Sequence, residues 1–149
     1  MENAGIWISI IIVAFLLGTI LNFRTSPKDK ALANIREKAR KMGLNPRLIP
    51  APEWLGLAKN GTYAQMVAYY SVIIPEGKFA LMRAVVNNQT LNVQVGNEKF
   101  QNYPVAITGA FAVEMQANSV SLYWDELADK NNNQLENVKQ FLMQLAESA

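Results

Sequence analysis

The side chains best suited to chemistry in this chain are a few carboxylates and one arginine. Asp125, Glu126 and Asp129 lie closest together, between an apolar run ending at Trp124 and the last helical stretch. Carboxylates are the donors that a hard cation such as Mg²⁺ or Ca²⁺ takes. The spacing is not that of an EF-hand, and acidic residues ahead of a helix are favoured by the helix dipole alone, so no metal site is assigned. Arg83 alternates with Phe79, Leu81 and Val85 on one face of a strand-like run. A cation in that setting serves either as a ligand-binding group in a pocket or as half of an ion pair. Glu114 falls opposite Phe111, Val113 and Met115 and reads as a solvated side chain.

Histidine and cysteine are both absent. Disulfides, thiol catalysis, Cys/His zinc sites, covalent haem attachment and imidazole-dependent triads are thereby excluded. There is no glycine-rich phosphate loop and no GxSxG; the eight glycines are scattered. No catalytic residue and no cofactor is assigned, and a non-enzymatic role is the expectation.

The elements around these residues are better defined. Residues 4–23 read AGIWISIIIVAFLLGTILNF, twenty residues without a charge, about 30 Å as a helix and enough for a bilayer's hydrocarbon core. Trp7 stands near one end, where an indole prefers the interface. The run is too long and too weakly flanked for a cleaved signal peptide. Ala14 and Gly18 form a small-xxx-small pair that would let another helix approach closely.

Net charge is +2, unevenly spread. Residues 24–47 carry eight basic side chains (Arg24, Lys28, Lys30, Arg36, Lys38, Arg40, Lys41, Arg47) against Asp29 and Glu37, whereas residues 48–149 carry six basic and nine acidic ones. The positive-inside rule then places the N-terminus outside and the rest in the cytoplasm. Ser26-Pro27-Lys28-Asp29 predicts a helix start, with Ser26 as N-cap. Ala31, Leu32, Ile35, Ala39 and Met42 recur at helical spacing, and Gly43 suits the C′ position. Lys28, Lys30, Arg36, Lys38, Arg40 and Lys41 are candidates for anionic lipid headgroups. Nucleic acid is not expected: no aromatic residues interleave with the basic ones, and the chain beyond is acidic.

The run LNFRTSPKDKALANIREKARKMGLNPRL behind an N-terminal anchor resembles uncharacterised single-pass inner-membrane proteins of Gram-negative bacteria. Some of these look like the YajC accessory subunit of the preprotein translocase, although the RPQQK-type stretch and glycine-rich segment of that subunit are missing here. The resemblance implies a bacterial inner-membrane location and transfers no functional residues.

Three prolines in residues 44–55 suggest an extended linker or edge strand. Residues 66–74, 79–86 and 90–95 read as an antiparallel meander, and residues 111–116 with 120–124 as a second hairpin. Phe111, Val113 and Met115 would share a face, as would Val120, Leu122 and Trp124. Tyr69 with Ser71, and Tyr123 with Ser121, fall on the less apolar faces and mark Tyr69 and Tyr123 as candidates for a protein interface. A helix over 133–147 carries the stripe Leu135, Val138, Phe141, Leu142 and Leu145. The expected organisation is a transmembrane anchor (1–23), a basic amphipathic juxtamembrane helix (24–43), a proline-rich linker (44–62) and a small α+β domain (63–149). That domain is an antiparallel sheet of about five strands with a C-terminal helix packed on it; a partly closed barrel is the alternative. The functional expectation is a membrane-tethered interaction or assembly module with a protein partner. The alternatives are a ligand sensor or minor enzyme using the groove between sheet and helix near Arg83, and a structural subunit that contacts a larger complex through its membrane helix.

Overall fold

The computed structural model describes residues 3–22, 27–56, 66–128 and 134–149. The chain forms two compact units, Met1–Ala31 and Leu32–Ala149.

In the first unit, α1 (Asn3–Asn22) is a twenty-residue helix. Its apolar side chains lie on every side, from Ile10 at 52% to Phe15 at 74% exposure. The hydroxyls in its interior do not need water. Ser9 Oγ donates to the Gly5 carbonyl at 2.9 Å, and Thr19 Oγ1 donates to the Phe15 carbonyl at 2.8 Å. Among the described residues it is the one helix long and apolar enough to cross a membrane.

Helix α2 (Pro27–Lys41) opens on Pro27, whose missing N–H costs nothing in a first turn. Ser26, expected as its cap, lies outside the described residues. Gly43 at φ 88° ends the helix, and the Leu44 amide returns to the Ala39 carbonyl at 3.0 Å. Ile35, Ala39 and Leu44 are buried in the main core. Most of α2 therefore belongs to the folded unit, where sequence placed a separate juxtamembrane helix.

The proline-rich segment is likewise part of the domain. Its first half is strand β1 (Asn45–Pro50), followed by β2 (Met66–Ile73), β3 (Phe79–Asn87), β4 (Thr90–Val95), β5 (Ala110–Ala117) and β6 (Ser119–Trp124). The six strands form one antiparallel sheet in the order β1-β2-β6-β5-β3-β4. β3 and β4 make the expected hairpin, as do β5 and β6. β2 is not next to β3, however, because the β5–β6 hairpin lies between them. β2 (MVAYYSVI) buries residues on both faces, which suits an inner strand and not the edge of a meander.

Helix α3 (Leu135–Ser148) buries its predicted stripe of Leu135, Val138, Phe141, Leu142 and Leu145. It packs on the same sheet face as α2, over Tyr70, Val72, Leu122 and Trp124. A bulge at the start of β5 pairs Ala110 with Trp124 and then Ala112 with Tyr123. It turns Phe111 to the opposite face, away from Val113 and Met115, where it packs against the small cluster that holds Ala112 and Tyr123.

Both sheet edges are blunted. Pro46 and Pro50 have no N–H to give β2, so their positions and that of Leu48 face outward, and Leu48 supplies the only outward amide of β1. On β4, the Leu91 amide donates to the Tyr103 carbonyl at 2.9 Å and its carbonyl accepts from the Asn102 amide at 2.8 Å. The Val93 amide donates to the Gln101 side-chain oxygen Oε1 at 2.9 Å.

Candidate functional site

Two clusters of polar side chains lie on opposite faces of the sheet. The first sits under α2. Alternation along β2 turns Tyr70 inward, and a short turn after β6 turns Glu126 the same way, leaving Glu126 at 4% exposure. A bare carboxylate in that position would carry a large desolvation cost. Arg36, beside Ile35 on the packed side of α2, offsets it with a two-point contact: Nε to Oε2 at 3.0 Å and Nη2 to Oε1 at 2.8 Å. Tyr70 Oη donates to Oε2 at 2.5 Å. The hydrogen bonds to Glu126 raise the Arg36 pKa against the opposing effect of burial. Burial first, and then the hydrogen bond to Glu126, pushes the Tyr70 phenol far above its usual range. Trp124 meets Tyr70 edge-on at 5.3 Å, its Nε1 buried and unbonded among the described residues.

The second cluster covers the open face. Arg83 on β3 donates from Nε to Glu114 Oε2 on β5 at 3.0 Å. The Arg83 guanidinium also lies over the Trp54 ring, 5.5 Å from its centre. Trp54 comes from the short turn after β1 and meets Tyr123 edge-on at 5.5 Å. Tyr123 packs on Tyr69 at 4.8 Å, and Ser121 Oγ donates to Tyr69 Oη at 2.6 Å. Burial raises both phenols, and the Glu114 charge adds to the rise at Tyr123.

These positions revise several expectations. Glu114 is 12% exposed and paired, where sequence made it a solvated side chain. Arg83 lies on the sheet face away from α3, so it does not line a groove between sheet and helix. The groove beside α3 is lined by Tyr103, Pro104, Ile107, Asn137, Gln140 and Gln144, without a charge. Tyr123 is 3% exposed beneath Trp54, while Tyr69 is half-buried next to exposed Arg47. Of the basic residues of α2, Arg36 is committed to Glu126. Lys30, Lys38, Arg40 and Lys41 are exposed, with Lys41 Nζ 3.5 Å from Glu37. Lys28 falls within the helix, and its side chain lies outside the described residues.

Of the three carboxylates closest together in sequence, Asp125 and Glu126 are turned differently. Glu126 points inward, Asp125 Oδ1 accepts from the Leu127 amide at 3.0 Å, and Asp129 lies outside the described residues. Among the described residues no group of three metal-ligating side chains occurs. Ala14 lines a shallow groove on α1 with Gly5 and Ser9, and Gly18 does not.

Sequence reasoning missed the Arg36–Tyr70–Glu126 cluster. The one local signal was an arginine flanking the apolar stripe of α2; its partner is ninety positions away. No family model matches the chain, and no curated protein and no solved structure matches it.

Proposed function

We propose that this chain is a single-pass membrane protein of the bacterial inner membrane. In this reading residues 32–149 are a non-enzymatic interaction or assembly module held at the cytoplasmic face. The observation that carries the reading is α1: twenty residues without a charge, apolar on every side, with both interior hydroxyls bonded to the helix's own carbonyls. Such a helix leaves no side-chain hydroxyl unsatisfied in hydrocarbon. The basic residues that follow it supply the orientation.

The folded unit supports binding over catalysis. Its two most buried ionisable clusters are spent on internal pairs, Arg36 with Glu126 and Arg83 with Glu114. With both edges of the sheet blunted, a partner would meet a face, and not extend the sheet. Arg47, Tyr69 and Ile73, which share the open face, form the accessible rim, and Ile73 is 52% exposed. The test is affinity purification of the tagged full-length protein in mild detergent, beside a variant whose α1 is replaced by an unrelated apolar helix and a Tyr69→Ala/Ile73→Arg variant. Stoichiometric partners that survive the helix swap and are lost from the face variant support the module. Partners lost only on the swap assign contact to α1, the reading that its small-residue groove favours.

A further inference from the structure

We propose that the outward face of α2, carrying Lys38, Arg40 and Lys41, seats on anionic phospholipid headgroups. The proposal rests on the membrane reading of α1. Three contacts fix how α2 is rotated on the domain: Ile35 and Ala39 are 2% and 0% exposed, and Arg36 is clamped on Glu126. At about 100° per residue, this packing turns Lys41 to the far side of the helix and Lys38 and Arg40 to its two flanks, and all three are exposed. Arg36 is thus a positioning residue, and the lipid-facing set is smaller than the basic residues of the helix.

Charge complementarity names the occupant. The basic excess of the chain is confined to residues 24–47, whereas residues 48–149 carry more acidic than basic groups. No aromatic side chain lies within α2 to stack on a base. Asp29 and Glu37 are also exposed on the helix, so the net attraction is small. Each basic residue near an anionic surface adds a modest attraction, too little in this number to recruit a free protein. A tethered module does not need recruiting: its effective concentration at the surface is set by the connection. Only four residues separate the end of α1 from the start of α2.

The absence of cysteine permits a unique label. Full-length protein with Asn34→Cys, on the exposed face of α2, would be spin-labelled and placed in nanodiscs. These contain phosphatidylcholine alone or with phosphatidylglycerol, and a trace of nickel-chelating lipid. The proposal predicts several-fold stronger relaxation by lipid-bound nickel in the anionic discs. The gain should be lost in high salt and in the K38E/R40E/K41E variant. Equal relaxation in both discs, with the protein retained in them, overturns the headgroup contact and leaves the anchor standing. A gain that survives both salt and charge reversal assigns the contact to other residues and also overturns it. Protein that alkaline carbonate strips from the discs overturns the membrane reading itself, and this proposal with it.

Discussion

Glu126 is the residue on which the interior electrostatics turn. Its carboxylate is buried, and its oxygens are taken by Arg36 and Tyr70. Removing one partner of such a pair is far costlier than removing both, because a lone buried charge remains. Arg36→Met should therefore destabilise the domain by about 3 kcal/mol, the low end for a buried pair, since the Arg36 side chain keeps 27% exposure. Arg36→Met with Glu126→Leu should recover most of that loss in urea unfolding; a double variant as unstable as the sum of the singles would contradict the assignment. Tyr70 gives a pH signature of definite sign. Its phenol is neutral in the fold and its pKa is raised. The stability this contributes is complete below about pH 10, where the unfolded phenol titrates, and is lost as pH rises through the higher folded value. Tyr70→Phe should be less stable at neutral pH by about 1.5–3 kcal/mol, the worth of a hydrogen bond to a charged group. It should also lose stability more slowly above pH 10, as thermal melts against pH would record.

At the scale of elements, most boundaries were legible and most partnerships were not. The stripes of α2 and α3 read directly because a helix exposes its period locally, and β4 and β6 read because they alternate. The order of the strands did not, since it depends on pairings between distant segments: β2 meets β6 and not β3. The face of Phe111 was misread for a smaller reason, a single inserted residue that reverses the alternation. Glu114 was misread as solvated because its pair, Arg83, lies on another strand. Gly96 at the end of β4 tests how tightly the β3–β4 hairpin is closed. Its φ is 103°, and a Cβ there would lie 2.4 Å from the Leu81 carbonyl oxygen. Gly96→Ala should cost about 2–4 kcal/mol, combining strain and overpacking. Equilibrium unfolding measures it; a change below about 0.5 kcal/mol, ordinary for a surface substitution, would contradict the close approach.

At the scale of the whole molecule, the features most readable in sequence were the apolar run and the basic segment after it. Both depend on composition and order alone. Where the folded unit starts was less readable: Leu32–Ala149 takes in most of α2 and all of β1, because three prolines left linker and edge strand both open and a basic face disguised a core helix. Of the two tyrosines expected at an interface, Tyr69 is half-buried on the open face and Tyr123 is closed beneath Trp54. The central claim is that α1 crosses the inner membrane with the folded unit inside. It is tested most directly by single cysteines at Asn3 and at exposed Glu76, probed in intact bacterial spheroplasts with a membrane-impermeant maleimide. The account predicts labelling of Asn3→Cys in intact cells and of Glu76→Cys only after lysis. Labelling of Glu76→Cys in intact cells, or release of the protein by alkaline carbonate, would contradict it.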